Sequence, residues 1–131
     1  MIIRNKYIPF KGFDRIAIYP FIFIKTNCVL TNEKLRHELI HIEQQKEMIA
    51  LGVLMAVLLT LLFGFNYWYV LIALGLFYGV YIVNWVFELI KIPFEDKEAY
   101  KDLLFEKEAK QNEKNINYLK NRTRFAWIKY I

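Results

Sequence analysis

The sequence predicts a mainly α-helical integral membrane protein built on a two-helix transmembrane hairpin, and three observations lead to that fold class. Hydrophobic residues make up 56% of the 131 residues and aromatic residues 18%, whereas soluble domains are roughly 45–50% apolar. Residues 48–87 contain no Asp, Glu, Lys, Arg or His. That run is long enough for two membrane helices of about 20 residues each, and residues typical of a turn interrupt it.

The N-terminal segment, residues 1–30, is predicted to be rich in β-structure. The stretch RIAIYPFIFIK is dense in Ile, Phe and Tyr, and Pro20 near its middle limits it to two short strands. We therefore expect a short β-hairpin that lies over the helix after it. Thr31 or Asn32 can cap the start of that helix, because either side chain places an oxygen near the first free backbone amides.

The next helix is predicted to span residues 31–63 and to carry a polar motif before it enters the membrane as the apolar segment 48–63. Gly64 and Asn66 then supply turn chemistry. The turn is followed by aromatic rings of the kind that settle at a membrane interface, namely Tyr67, Trp68 and Tyr69.

The second span is predicted to cover residues 67–92 and to end before Pro93, which cannot continue a helix. Gly75 and Gly79 within it form a G-x-x-x-G pattern that lets two helices approach closely. The pattern fits packing against the first span as well as a homodimer.

Basic residues on both sides of the hairpin predict its orientation. Residues 1–47 contain eight Lys and Arg and residues 88–131 contain ten, which together make the 18 of the chain, whereas the turn contains none. The positive-inside rule then places both termini in the cytoplasm. Residues 94–131 are predicted to form a charged amphipathic helical segment there, so residues 1–131 make one domain.

The net charge of +5 fits attraction of the flanking segments to anionic lipid headgroups. Nucleic acid is the other common partner of basic chains. Acidic and basic residues alternate here and no nucleic-acid-binding motif is present, so we expect lipid rather than nucleic acid.

The motif in the first helix contains both histidines of the chain, in the stretch LRHELIHIEQQ. His37 and His41 are four residues apart, which puts their Cβ atoms about 5–6 Å from each other on one helix face. Both rings can therefore reach one metal ion. Glu38 is close enough to contact a water on that ion without being a ligand. This HExxH arrangement is typical of zinc peptidases, in which zinc activates water and the glutamate takes its proton.

The motif resembles that of the gluzincins, zinc peptidases with HExxH on one helix and a glutamate ligand on a later helix. In membrane-embedded members that glutamate begins an E-x-x-A pattern, which residues 106–109 match. The chain is also similar to small bacterial membrane proteins with HExxH-x-x-Q and a later F-E-x-E-A. The resemblance implies a bacterial inner-membrane protein in which Zn²⁺ is held by His37, His41 and Glu106 and Glu38 is the catalytic base.

The third metal ligand can also be approached from the residues themselves. Catalytic zinc takes three protein ligands, and the third must here be a carboxylate or Cys28. On a helical wheel Glu106 lies on an acidic face and Glu108 points to the other side. Glu106 is favoured, with Glu98 and then Glu108 as alternatives. The acidic face also contains Glu95, Glu98, Asp102, Ala109 and Glu113.

The chain departs from the membrane gluzincins at Lys110, where they have an aspartate. A ligating histidine normally donates its other ring nitrogen to an acceptor, so the group that orients each ring is open. The candidates for that role are Gln44, Asn112 and Glu113. Donors for a developing oxyanion are chosen by residue type alone, and they are Tyr100, Tyr118 and Arg122.

Three functions remain open at this level. The first is a membrane-embedded zinc-dependent metalloendopeptidase that hydrolyses a membrane-associated peptide or protein. The second is a non-catalytic membrane protein that binds metal for structure or to present a surface to a partner. The third is a small pore or scaffold in which the histidines are incidental, and it predicts no bound metal.

Overall fold

A computed structural model describes residues 1–8, 14–73, 75, 76, 79, 80, 83 and 104–130. Its elements are strands β1 (Ile2–Asn5), β2 (Arg15–Ile18) and β3 (Phe21–Lys25), helices α1 (Asn32–Phe63), α2 (Leu104–Asn112) and α3 (Tyr118–Asn121), and a C-terminal 3-10 helix (Ala126–Tyr130). The chain forms two compact units. The first contains Met1–Gln45 with Leu104–Ile131, and the second contains Lys46–Leu103.

The N-terminal strands form a three-stranded sheet in the order β1-β3-β2. β2 and β3 are antiparallel, with Ile18 opposite Phe21, as the predicted hairpin requires. The hairpin is nevertheless only part of the sheet, because β1 adds to the other edge of β3 in parallel, with Ile2 opposite Ile22. A four-residue strand shows too few alternations to be recognised from sequence, and its partner lies far along the chain.

The core of the first unit lies between this sheet and α1. It consists of Ala17, Ile22 and Ile24 from the sheet and Ile42 from α1, with Cys28, Leu30, Leu35 and Leu39 packed against it. Burying an isoleucine contributes roughly 1.5–3 kcal/mol. The expected position of the strands over the helix is confirmed.

Gln45 adds polar contacts between α1 and the sheet. Its amide nitrogen donates to the Ala17 carbonyl at 2.8 Å, and its amide oxygen accepts from the Tyr19 backbone N–H at 2.6 Å. Gln45 is 2% exposed, so these bonds satisfy a polar side chain that would be costly to bury alone. They fix the rotation of α1 relative to β2, and with it the face on which the histidines lie.

Helix α1 has the predicted extent and recognisable ends. The Thr31 hydroxyl accepts from the Lys34 backbone N–H at 3.3 Å, which makes Thr31 the cap. At the other end Gly64 has a φ of +85°, and its N–H donates to the Thr60 carbonyl at 2.9 Å. A glycine in this left-handed conformation commonly ends a helix because it lacks a Cβ.

Helix α1, which continues from the first unit into the second, is by length and composition long and apolar enough to cross a membrane. In its most apolar 18 residues, only 11% are buried. Residues 67–73, 75, 76, 79, 80 and 83 are also helical. The rest of the predicted second span, to residue 92, lies outside the described residues.

Gly52, rather than the G-x-x-x-G pattern, marks the close helix approach in this unit. A Cβ added to Gly52 would lie 2.5 Å from the carbonyl oxygen of Ala73. Among the described residues, a Cβ added to Gly75 or Gly79 meets no atom within 4 Å. Gly52, which no sequence pattern singled out, therefore permits the close approach to Ala73.

The C-terminal segment is less continuous than the predicted amphipathic helix. Residues 94–103 lie outside the described residues, and from Leu104 the chain forms α2, α3 and the 3-10 helix with turns between them. After α2, the Asn115 side-chain oxygen accepts from the Asn117 backbone N–H at 3.1 Å. Such local bonds compete with helix formation, which explains the break.

Candidate metal centre

Two helices of the first unit bring the motif residues together. α1 carries His37, Glu38 and His41, and α2 carries Glu106. His37 is 5% exposed, His41 8% and Glu106 6%. The histidines share a face because of their four-residue spacing, and the sheet contacts of α1 turn that face towards α2. These three residues form a buried group that could hold a metal ion.

The ligand atoms of this group form a nearly equilateral triangle. His37 Nε2 and His41 Nε2 are 3.1 Å apart. Glu106 Oε2 lies 3.2 Å from His41 Nε2 and 3.3 Å from His37 Nε2. Tetrahedral zinc with bonds of about 2.0–2.1 Å places its ligand atoms about 3.3 Å from each other. The triangle therefore matches one face of a zinc tetrahedron, and the group contains three ligand residues among those that the structure describes.

Hydrogen bonds on the far side of each ring determine where its lone pair points. His41 Nδ1 donates to the Gln44 side-chain oxygen at 2.8 Å, and His37 Nδ1 donates to Glu113 Oε2 at 3.0 Å. An amide or carboxylate oxygen can only accept from these nitrogens. With neutral rings, both Nε2 lone pairs would face each other and the Glu106 carboxylate. Three electron-pair donors so close together require a cation between them, whether a proton or a metal ion.

The pKa values of the group describe the proton that competes with a metal. Burial alone would lower the pKa of His41, but its hydrogen bond to Glu106 and the charges of Glu106 and Glu38, with a smaller effect of Gln44, raise it to about 9. Burial would raise the pKa of Glu106, but its hydrogen bonds to His37 and His41 and their charges hold it well below its ordinary value. Without a metal, a protonated His41 therefore pairs with an ionised Glu106.

Glu38 is buried beside this group, at 4% exposure, and faces the sheet. Its Oε1 lies 2.8 Å from Arg15 Nε in β2. The Arg15 Nε–H is not aligned on an acceptor among the described residues, so the contact is an ion pair rather than a directed hydrogen bond. Because the charge of Glu38 also acts on His41, the predicted base lies within electrostatic reach of the metal ligands.

Glu108 lies on the side of His41 that is opposite the metal position. The hydrogen bonds of its carboxylate are made with residues other than the two histidines. It is fully buried. Its Oε2 accepts from the Gln44 amide nitrogen at 2.9 Å, and its Oε1 accepts from Arg122 Nε at 2.6 Å and from the Tyr118 hydroxyl at 2.8 Å. Glu108, the alternative third ligand, is therefore separated from His41 by the side chain of Gln44.

Glu113 has the corresponding position behind His37. Its Oε1 lies 3.1 Å from Lys110 Nζ, and its backbone carbonyl accepts from Arg36 Nε at 2.7 Å. Lys110, which replaces the expected aspartate, therefore balances the charge of the glutamate that contacts His37. Glu113 makes the contact that we expected from one of three candidates.

The other described residues that were predicted for the site make contacts away from the three metal ligands. Asn112 donates to the Glu108 carbonyl at 2.7 Å and lies 2.9 Å from the Tyr130 hydroxyl, which joins α2 to the 3-10 helix. Tyr118 and Arg122, proposed as oxyanion donors, contact Glu108. Burial, the hydrogen bond to Glu108 and its charge raise the pKa of Tyr118 above its ordinary value, which keeps it a donor. Glu98 and Tyr100 lie outside the described residues.

Arg15 is the residue near the site that sequence reasoning missed. It lies in strand β2, 23 residues before Glu38, and no local pattern links a strand arginine to a helix glutamate. The Lys110 and Glu113 pair was accessible from sequence, since residues three apart face each other on a helix. Cys28 is not part of the metal-binding group found among the described residues, and its thiol donates to the Val29 carbonyl.

Comparison with known proteins leaves the site to be interpreted from its own geometry. No protein-family model matches the chain, and neither a curated protein nor a solved structure is detectably similar to it.

Proposed function

We propose that the protein is a membrane-embedded zinc metallopeptidase that hydrolyses peptide bonds in a membrane-associated substrate. The triangle of His37 Nε2, His41 Nε2 and Glu106 Oε2, with edges of 3.1–3.3 Å, carries this proposal. Among the described residues it supplies three protein ligands, the number found in catalytic rather than structural zinc sites. Two imidazoles with one carboxylate are also a donor set that suits zinc.

The chemistry follows from the positions of the ligands and Glu38. A zinc ion held there would lower the pKa of a water ligand to about 7 and polarise a substrate carbonyl. Glu38 would accept the proton of that water and then deliver it to the leaving amine. The Arg15 ion pair holds the Glu38 side chain in one orientation. His37 and His41 keep their ligand atoms directed inwards through Glu113 and Gln44.

The exposed apolar surface of the second unit supports the membrane part of the proposal. In α1, Leu61 is 77% exposed, Leu62 72% and Phe63 71%. A soluble protein rarely exposes so many large apolar side chains together. In a membrane, lipid chains would shield these side chains from water. The uncharged run that extends to residue 87 and the basic segments on both sides of it point in the same direction.

The second candidate function is non-catalytic metal binding in a membrane protein. One observation favours it, namely that Arg15 lies 2.8 Å from Glu38 and gives the glutamate a structural partner. In that case Glu38 connects α1 to β2 and the metal ion connects α1 to α2.

Metal content and peptidase activity separate these candidates. In detergent-purified protein loaded with zinc and then dialysed, mass spectrometry of the metal should find about one zinc per chain for wild type. His41→Ala and Glu106→Ala should bind almost none. Glu33→Ala, which removes an exposed carboxylate in the first turn of the same helix, should bind as much as wild type.

Activity is then measured with a mixed library of quenched fluorescent peptides. Glu38→Gln should retain zinc and lose cleavage, because it keeps the ligands and removes the base. Wild type with zinc and no cleavage would favour the non-catalytic candidate. Wild type without zinc would refute both, and full activity in Glu38→Gln would exclude Glu38 as the base.

A further inference from the structure

A buried chain of hydrogen bonds extends from His41 away from the metal position. His41 Nδ1 contacts the Gln44 oxygen at 2.8 Å, and the Gln44 nitrogen contacts Glu108 Oε2 at 2.9 Å. Arg122 Nη2 lies 3.2 Å from the same Glu108 oxygen. Gln44 is 2% exposed and Glu108 is fully buried. Each bond is therefore shielded from water and worth more than at the surface.

The direction of every bond in this chain is determined by chemistry. The Gln44 amide nitrogen lies 2.9 Å from Glu108 Oε2 and 2.9 Å from the Phe105 carbonyl oxygen, and both of these atoms can only accept. The NH₂ group must face them, so the Gln44 oxygen must face His41. That oxygen accepts a hydrogen bond, which keeps a proton on His41 Nδ1 and leaves Nε2 free to bind a cation.

The opposite orientation of Gln44 would abolish the ligand. A 180° rotation of the amide would place its oxygen against the Phe105 carbonyl and the Glu108 carboxylate, and its NH₂ group against His41 Nδ1. The ring would then carry its proton on Nε2, where the metal should bind. Glu108 opposes this rotation because its carboxylate accepts from Arg122, whose side chain is 5% exposed, and so presents an oxygen rather than a donor to Gln44.

We infer that Glu108 is a positioning residue of the metal centre, which acts through Gln44 to hold His41 in the tautomer that binds metal through Nε2. This inference rests on the proposed metal site and adds to it the group that sets its affinity. A buried ion pair between Glu108 and Arg122 could stabilise the fold without Gln44. The bond to Gln44 instead directs the carboxylate towards a ligand, and such outer groups typically change metal affinity by 10- to 100-fold.

The test measures zinc affinity and the His41 tautomer in the same protein. Glu108→Gln should raise the zinc Kd by about 10- to 100-fold, measured by competition with a chelator. In the ¹⁵N-labelled, metal-free variant, at a pH high enough for the ring to be neutral, the imidazole spectrum should show His41 with a population protonated on Nε2, whereas wild type should carry the proton on Nδ1. The chain has two histidines, so the two rings are assigned with one His37→Gln spectrum.

A double-mutant cycle with Gln44→Ala tests whether Glu108 acts through Gln44. Gln44→Ala removes the side chain that connects Glu108 to His41, so it should also raise the Kd. Adding Glu108→Gln to Gln44→Ala should then raise the Kd no further, whereas two independent effects would add. Glu33→Gln is the matched control, because it makes the same substitution at an exposed carboxylate in the first turn of α1 and should leave the Kd and the tautomer unchanged.

The possible results assign failure to one proposal or the other. A wild-type Kd and an unchanged His41 spectrum in Glu108→Gln would overturn the positioning role and leave the metal site intact. A Kd that rises further when Glu108→Gln is added to Gln44→Ala would also overturn it. Wild type that binds no zinc would refute the metal site itself. If Glu108→Gln does not fold, as judged by its amide spectrum, Gln44→Ala still decides, because a wild-type Kd and tautomer in that variant would overturn the role.

Discussion

Charge pairing distinguishes Glu106 from the other acidic residues of the site. Glu38 faces Arg15, Glu108 faces Arg122 and Glu113 faces Lys110. Glu106 instead faces His37 and His41. With neutral histidines, three of these four carboxylates have a basic partner, and the remaining negative charge is at Glu106. A divalent cation between Glu106 and the histidines would compensate this charge in place of the proton on His41.

Zinc binding should therefore release a proton. Because the pKa of His41 is raised to about 9 in the metal-free protein, its ring is protonated at pH 7 and must lose that proton to bind zinc. We expect release of about one proton per zinc at pH 7 and an apparent affinity that rises about tenfold per pH unit up to pH 9. Titration calorimetry in buffers of different ionisation enthalpy measures this number, and an enthalpy that does not vary with the buffer would contradict it.

At the scale of elements, local spacing predicted more than long-range contacts. The four-residue spacing of His37 and His41 and the helical wheel around Glu106 were sufficient to predict which side chains converge. The same wheel placed Glu108 on the opposite side of α2 but could not show that α3 and Arg122 cover that side. β1 and Arg15 were missed for the same physical reason, since their partners are set by tertiary folding rather than by sequence neighbours.

The contact at Gly52 leads to a prediction about α1. Gly52→Ala adds a Cβ that would lie 2.5 Å from the backbone oxygen of Ala73, and backbone cannot move aside as a flexible side chain does. We expect a loss of about 1–3 kcal/mol in the free energy of unfolding, measured by SDS titration in mixed micelles. Gly75→Ala is the control. It is helical, and a Cβ added there meets no atom of the described residues within 4 Å, so alanine should be neutral or stabilise by up to about 1 kcal/mol. Equal effects would mean that the Gly52 contact is not formed.

At the scale of the whole molecule, α1 links two kinds of chemistry in one helix. Its N-terminal turns carry His37 and His41, and its C-terminal turns consist of apolar residues that are largely exposed. The basic residues fit the same division, because they occur on both sides of the uncharged run and none lies within it. From these features we expect residues 48–63 and the second span to lie in the bilayer with both flanking segments on the cytoplasmic side.

Cys28 makes this orientation measurable, since it is the single cysteine of the chain. A membrane-impermeant maleimide should label Cys28 in inside-out vesicles and not in spheroplasts, because the residue precedes the first span on the basic, cytoplasmic side. Labelling in detergent gives the reference for full access. The matched variant Cys28→Ser/Phe65→Cys moves the thiol to the turn, where Phe65 is 77% exposed, and should reverse the pattern. If both thiols were labelled from the same side, or if alkaline carbonate released the protein from the membrane, the hairpin topology would be wrong.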